Sequence, residues 1–166
     1  MTEKLEKMAA EIGANRKEII EKLVQYFLTD MLFFWSSEKE VAERQQKEWQ
    51  PLLDWAENEF KTNFVKTQTL NVPEQEEKSG QRLKLFLESL SDRELAAFYA
   101  AATNMRSVLL AAALVKGRIN ADQAFRAAFL EELVQAESWG ADEEAEKRRG
   151  ALKQELVEIE NFLKND

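Results

Sequence analysis

The sequence predicts an all-α protein, a single bundle of about six or seven helices. Apolar residues recur at spacings of three and four along most of the chain, as in Ile20, Leu23, Val24 and Phe27, which is the pattern of a helix that buries one face. Residue pairs typical of a helix start precede several of these stretches. No repeat of fixed period and no Gly/Ser linker divides the chain, so we expect one helical domain over residues 1–166.

Two start signals define the first helices. Asn15 followed three residues later by Glu18 is a potential capping box, in which each side chain binds a free amide of the other residue. It predicts a helix that begins near Arg16. Ser37 followed by Glu40 repeats the signal and predicts a second helix after it.

A proline in the next stretch indicates where a helix begins. Pro51 suits the first turn of a helix, because its φ is already near the helical value and its missing N–H is not needed there. Residues 38–60 are therefore predicted to form two helices or one kinked helix. Residues 61–73 are rich in β-branched side chains and end at a proline, which predicts an irregular segment. The helical pattern resumes by Gln75.

The middle of the chain contains an Ala-rich pair of helices. Ser91 with Glu94 predicts the start of the first. Residues 105–116 form the second, and Gly117 suits the position after its end. Arg106 lies among apolar residues, so we expect it to form a structural ion pair.

Two helices are predicted in the last part of the chain. Asn120 with Gln123 is a further capping box, and the apolar pattern then runs to Trp139, where Gly140 ends the helix. The final helix carries a stripe of apolar residues that suits packing across the bundle: Ala145, Leu152, Leu156, Ile159 and Leu163.

The composition argues against an enzyme. The chain has no Cys and no His, which removes thiolate nucleophiles, histidine bases and imidazole metal ligands. Its five glycines are scattered, so they cannot form a phosphate-binding loop. Adjacent carboxylates on a helix point about 100° apart, and a carboxylate-only metal site remains the one enzyme alternative. We expect no catalytic residue, no metal and no cofactor.

The charge and hydropathy patterns limit the possible partners. The chain has 23 basic and 31 acidic side chains, a net charge of −8, so a nucleic acid would be repelled. The most apolar stretch, residues 109–115, is too short to span a bilayer, and the first residues lack the pattern of a signal or transit peptide. We expect no nucleic acid and no membrane insertion.

The sharpest local feature is an acidic segment that ends in a basic run. Residues 131–146 contain seven acids and no base, and Lys147, Arg148 and Arg149 follow directly. Acids at the start of the final helix favour its dipole, so a solvated helix end is one interpretation. The other is an acidic docking surface in which Trp139 anchors a partner. Tryptophans at helical spacing more often fill a core, which applies to Trp49 and Trp55 as well.

Two motifs in the correct order resemble a known family. The first is Gln-x-x-Trp-x-Pro-x-x-x-Trp, formed by Gln46, Trp49, Pro51 and Trp55. The second is Leu-x-Glu-x-x-Gln-x-x-x-Trp-Gly-x-Asp, and its members are Leu130, Glu132, Gln135, Trp139, Gly140 and Asp142. Together with the closing amphipathic helix, they resemble the C-terminal helical domain of the F-one ATP synthase assembly chaperones that bind the alpha subunit. The resemblance covers about residues 16–164, and the β-rich domain that precedes this domain in the family is absent from the sequence.

The resemblance implies a chaperone that binds the unassembled alpha subunit and prevents its aggregation until the beta subunit takes its place. It implies a location in the bacterial cytoplasm or the mitochondrial matrix, and we expect the chain to be a monomer. The implied partner contacts are Glu131, Glu132, Gln135, Glu137, Trp139 and Asp142, with Gln46, Trp49 and Trp55 as further motif residues. A helical adaptor or regulator without chaperone activity is the alternative. We expect reversal of Glu132 or Glu137 to Lys to weaken client binding with a stability change within about 0.5 kcal/mol.

Overall fold

The computed structural model describes residues 2–165, and over this range the chain folds into nine α-helices and one short 3₁₀ turn at Met31–Phe33. The helices are α1 (Thr2–Phe27), α2 (Lys39–Glu48), α3 (Gln50–Phe60), α4 (Glu77–Glu88), α5 (Asp92–Met105), α6 (Val108–Val115), α7 (Ala121–Ala128), α8 (Leu130–Trp139) and α9 (Glu143–Lys164). The all-α class is confirmed. The predicted number of six or seven helices is too low.

Two helix breaks account for the difference in number. α2 and α3 are separate helices that meet at Trp49, and Pro51 lies in the first turn of α3 as predicted. α7 and α8 are separated at Phe129, whose φ of −110° and ψ of 22° leave the helical region. The apolar pattern continues across Phe129, so the sequence gives no sign of this second break.

The core is built around α6, in which every residue from Val108 to Leu114 is buried. α5 packs against α6 through small side chains, and its outer side contacts α1 and α9. Buried alanines on α5 and α6 let the helix backbones approach closely, as the Ala-rich sequence predicted. The predicted start of α6 at residue 105 is wrong, because Arg106 takes a left-handed conformation with φ 58° and Ser107 caps the helix.

α1 begins well before the predicted start near Arg16. Asn15 lies inside this helix and does not cap it. Leu5 and Ile12 are almost fully buried, so the first turns belong to the core. The Arg16 side chain donates to Asp92 Oδ1 at 2.9 Å and to the Leu87, Glu88 and Leu90 carbonyl oxygens. Packing and this cross-link override the local capping signal.

Of the other predicted start signals, two are confirmed and one is wrong. Ser91 with Glu94, and Asn120 with Gln123, both form complete capping boxes. Ser37 does not cap α2, because Glu38 occupies the N-cap position and makes no side-chain cap bond.

α4 begins at Glu77, slightly later than predicted. Gly117 and Gly140 follow α6 and α8 with φ of 73° and 86°, as predicted for helix ends.

The predicted irregular segment is confirmed and continues to Glu76. It is joined to the 3₁₀ turn by an isolated parallel bridge between Phe34 and Thr67. The Thr67 N–H donates to the Phe33 carbonyl at 2.7 Å, and the Trp35 N–H donates to the Thr67 carbonyl at 2.8 Å. The bridge fixes the backbone around Phe34, which lines the candidate site described below. None of the helices within residues 2–165 combines the length and apolar composition needed to cross a bilayer.

Candidate functional site

The acidic residues of the second motif lie on α8, a short helix with one buried side. Leu130 and Val134 are buried against the bundle, and they are four residues apart, as an amphipathic helix requires. Glu131, Gln135 and Glu137 are exposed. The sequence therefore folds α8 with its carboxylates facing outward.

Three predicted contact residues line one groove, which we call the acidic groove. Glu131, Glu132 and Gln135 form one wall of a cavity of about 500 Å³. The opposite wall comes from the 3₁₀ turn and the end of α5. The other lining residues are Met31, Phe34, Trp49, Asn104, Met105, Arg106, Ala128 and Phe129. The groove thus combines apolar surface with two carboxylates, the two carboxamides of Gln135 and Asn104, and the guanidinium group of Arg106.

Glu132 is not a free carboxylate, because it holds two arginines of α9. It forms a short salt bridge with Arg148 and a second one with Arg149 at 3.4 Å. The Arg149 side chain is only 8% exposed, against 37% for Glu132. Removing Glu132 would leave a buried cation without this partner, which is costly. The expectation that reversal of Glu132 changes stability by no more than about 0.5 kcal/mol assumed an exposed, unpaired carboxylate. The salt bridges with Arg148 and Arg149 contradict that assumption.

Glu137, Trp139 and Asp142 do not line the acidic groove. Glu137 forms a salt bridge with Arg44 of α2 at 2.6 Å, and both side chains are largely exposed. Trp139 ends α8 with 87% of its surface exposed. Asp142 is exposed at the N-cap position of α9 and makes no side-chain cap bond there. The predicted contact residues thus divide between the groove and the end of α8.

The residues of the first motif are mainly structural. Trp49 is 3% exposed, and its Nε1 donates to the Ala127 carbonyl at 2.8 Å, which ties α3 to the end of α7. Trp55 is half-buried and packs edge-on against Phe60 with ring centroids 6.5 Å apart. Gln46 is exposed on α2. Trp49 therefore shapes the floor of the acidic groove, while Gln46 is the motif residue that a partner could reach.

Two arginines near the site were misjudged or missed from the sequence. Arg106 was expected in a structural ion pair, but it is exposed, lines the acidic groove and forms no salt bridge with any residue between 2 and 165. Its left-handed backbone places it at the end of α5, outside the helix that was predicted to bury it. Arg44, the partner of Glu137, is 93 residues away in sequence, and no local pattern could have indicated the pair.

The charged and apolar side chains of the acidic groove together suit the binding of a polypeptide. Within residues 2–165 no three Asp or Glu side chains are grouped as a metal would require. The carboxylates at the groove are held by arginines or face solvent, next to apolar surface. Such a surface is complementary to a polypeptide face that combines basic and apolar side chains.

Comparison of folds finds close structural relatives. The crystal structure of Atp12 from Paracoccus denitrificans superposes with a TM-score of 0.91 and 28% identity, covering 96% of this chain and 70% of that one. An aspartate-to-lysine mutant of the same Atp12p gives a TM-score of 0.91 and 27% identity. The Atu1473 protein of Agrobacterium tumefaciens gives 0.86 and 27%, covering 95% of this chain and 60% of that one.

Sequence comparison leads to the same family. The profile of the ATP12 chaperone protein family matches residues 2–57, so the match begins earlier than the resemblance noted from about residue 16. The mitochondrial protein atp12 of Schizosaccharomyces pombe is 26% identical over 139 residues, covering 79% of this chain. The chain spans 48% of the length of that relative. Fold, profile and sequence agree that this chain is similar to the ATP12 chaperone proteins.

Proposed function

We propose that this chain is an assembly chaperone that binds the unassembled alpha subunit of the ATP synthase F-one sector. It would cover an aggregation-prone face of that subunit and release it when the beta subunit arrives. Similarity to the ATP12 chaperone proteins supports a chaperone role, and the motif resemblance supplies the identity of the client. The site of action would be wherever the F-one sector assembles, the bacterial cytoplasm or the mitochondrial matrix.

The observation that carries the proposal is the exposure of Trp139. A tryptophan with 87% of its surface in water contributes almost nothing to the fold, yet tryptophan is among the side chains that most often dominate binding interfaces. It ends the helix that carries Glu131 and Gln135 into the acidic groove. We propose that the indole and the groove contact the client together.

The charge of the chain supports the same mechanism. A net charge of −8 would accelerate encounter with a basic client surface, and the acids on α8 would set the orientation of docking. The apolar floor of the groove would cover the client's apolar side chains. No nucleotide or cofactor takes part in a mechanism of this kind, so the proposed function is non-enzymatic.

Capture during co-expression tests the proposal. The untagged chain is expressed with an affinity-tagged alpha subunit or an affinity-tagged beta subunit, and the amount retained on each is measured. We expect retention on alpha alone, and release when untagged beta subunit is added. Equal retention on both subunits, or none on alpha, would refute the proposal, and a stable complex with some other protein would favour the adaptor alternative.

Two variants and two matched controls identify the contact surface. Trp139→Ala and Glu131→Lys should each reduce retention on alpha by at least about tenfold, because they remove an anchor and reverse a groove charge. Leu85→Ala and Glu18→Lys alter an exposed apolar residue on α4 and an exposed acid on α1, and they should retain normal capture. Equal capture by all four variants would exclude α8 as the contact surface.

A further inference from the structure

A second cleft lies beside the acidic groove and has the opposite charge. It occupies about 340 Å³ between the start of α1, α5 and α9, and we call it the basic cleft. Its cationic side chains are Lys4, Arg106 and Arg148, and its apolar surface includes Met8 and Leu152. Such a volume is sufficient for a few amino-acid side chains.

The charge of this cleft contrasts with that of the chain. Three cations face one carboxylate, Glu155, in a protein whose net charge is −8. Lys4 and Arg106 form no salt bridge with any of the residues that the structure describes, while Arg148 is paired with Glu132. Two cations are therefore available to an incoming anion, and they adjoin apolar surface.

The wall of the cleft also contains an unsatisfied acceptor. The Asn104 amide is oriented by its own Nδ2, which donates to the Leu152 carbonyl at 3.1 Å and to Glu155 Oε2 at 2.9 Å. Its Oδ1 is buried and has no hydrogen-bond partner within residues 2–165. Buried polar atoms are normally satisfied, so this oxygen is an acceptor beside the cleft that the described residues leave unused.

We propose that the basic cleft binds a short segment of a partner polypeptide that carries a carboxylate beside an aliphatic or aromatic side chain. The carboxylate would lie between Lys4 and Arg106, and the apolar side chain would contact Met8 and Leu152. Glu155 and the overall negative charge oppose a nucleic acid, whose many phosphates would meet mostly acidic surface. A single peptide carboxylate avoids that repulsion.

The two clefts are neighbours that share Asn104, Arg106 and Phe129 in their walls. The proposal for the basic cleft does not depend on the identity of the client, because it rests on charges and contacts outside α8. An extended segment with an acid near one end and a base near the other could occupy both clefts at once.

A pair of short peptides provides the test. The probe is the capped peptide acetyl-Leu-Glu-Glu-Phe-Leu-amide, compared with the peptide in which both glutamates are lysine. Binding to the full chain is followed by fluorescence anisotropy of labelled peptide and by two-dimensional amide NMR. We expect the glutamate peptide to bind more tightly and to shift the amides of Ala100, Thr103 and Leu152, which line the cleft.

Charge reversal locates the binding. Arg106→Glu and Lys4→Glu should each weaken the glutamate peptide about fivefold to tenfold, because an attraction becomes a repulsion. Arg82→Glu reverses an exposed cation on α4 that does not line this cleft, and it should change affinity less than twofold. Far-ultraviolet circular dichroism establishes that each variant is folded. If Arg106→Glu does not fold, Lys4→Glu alone tests the charge of the cleft.

Three results would overturn the proposal. The first is equal affinity for the glutamate and lysine peptides, and the second is an equal loss of affinity in Arg82→Glu. The third is tighter binding of a short single-stranded oligodeoxynucleotide than of the glutamate peptide. None of these results bears on capture of the alpha subunit, so failure here is distinct from failure of the chaperone function.

Discussion

The hydroxyl of Ser107 donates a hydrogen bond to the buried carboxylate of Asp30 at 2.7 Å, across 77 residues of sequence. Asp30 Oδ1 also accepts from the Leu32 N–H at the start of the 3₁₀ turn, and Oδ2 accepts from the Leu109 N–H in the first turn of α6. One carboxylate thus satisfies free amides at two helix starts. It holds the 3₁₀ turn, and with it one wall of the acidic groove, against α6.

Ser107→Ala should destabilise the protein by about 1 to 3 kcal/mol, because the hydroxyl serves two partners. It donates to Asp30 and also accepts from the Leu110 N–H at 3.0 Å as the cap of α6. Chemical denaturation at pH 7 measures the loss. Ser138→Ala changes an exposed serine of α8 and should shift stability by no more than about 0.5 kcal/mol. Equal effects of the two substitutions would contradict the role given to Ser107.

Asp30 should also make stability depend on pH. Burial raises the pKa of Asp30 from 3.8 to about 6, although the hydrogen bonds from Leu109, Leu32 and Ser107 oppose the rise. The folded state therefore binds this proton more tightly than the unfolded state, so its contribution is most favourable below pH 4 and declines as pH rises to 6. The Asp30→Asn variant has no titrating group at this position. The unfolding free energy of the parent minus that of the variant should fall by about 2 to 3 kcal/mol between pH 4 and pH 7. A difference that stays constant with pH would argue against the raised pKa.

Two serines with the same sequence signal should respond differently to alanine. Ser91 accepts from the Glu94 N–H at 3.1 Å, and Glu94 returns the bond to the Ser91 N–H at 2.9 Å. Ser91→Ala should therefore cost about 1 kcal/mol. Ser37 also precedes a glutamate by three residues but does not cap α2, so Ser37→Ala should be nearly neutral. Thermal unfolding of both variants decides the matter, and an equal loss would mean that both boxes form in solution.

The two serines illustrate which features the sequence could predict. A capping box involves neighbours in sequence, so Ser91 and Asn120 were identified correctly from local spacing. The failure at Asn15 has a different origin, because the start of α1 depends on Leu5 and Ile12 packing against the bundle and on Arg16 bonding to the end of α4. Tertiary contacts outweigh a local signal in such cases.

The candidate site likewise combines features that the local sequence predicts with long-range contacts that it does not. Exposure of Glu131 and Glu137 follows from the amphipathic pattern of α8. Exposure of Trp139 does not follow from the sequence, because a tryptophan at a helix end more often fills a core. The salt bridge of Glu137 with Arg44 and the bonds of Asp30 with Ser107 and Leu109 join residues more than 75 positions apart. Nothing in one sequence indicates which distant residues will meet. The acidic groove was unpredictable for this reason.

Two glycines should give opposite results when replaced by alanine. Gly140 has φ 86° and ψ 158°, a region that is open almost only to glycine, so Gly140→Ala should cost about 1 to 3 kcal/mol. Gly150 lies within α9, where an added Cβ would meet no atom within 4 Å. Gly150→Ala should stabilise by about 0.5 to 1 kcal/mol, because alanine is the better helix former. Urea denaturation measures both, and stabilisation by Gly140→Ala would show that the end of α8 adopts another conformation in solution.

The last prediction separates the structural role of Glu132 from a role in binding. Glu132 pairs with the nearly buried Arg149, so Glu132→Ala should cost about 1 to 3 kcal/mol by leaving that cation unpaired. Arg149→Met removes the charge but keeps most of the apolar stem, and the double variant should lose less stability than the two single losses added together. A coupling energy of at least about 0.5 kcal/mol in this double-mutant cycle would identify the pair as interacting.

The parent, the two single variants and the double variant also distinguish a structural role of Glu132 from direct contact with the client. If Glu132 acts only by fixing α9 against α8, Arg149→Met should impair capture of the alpha subunit as much as Glu132→Ala does, and the double variant no more than either. If Glu132 also contacts the client directly, Glu132→Ala should impair capture further than Arg149→Met at equal stability. We expect the first result, because both arginines already occupy the Glu132 carboxylate and Glu131 is the groove acid that remains exposed to a partner.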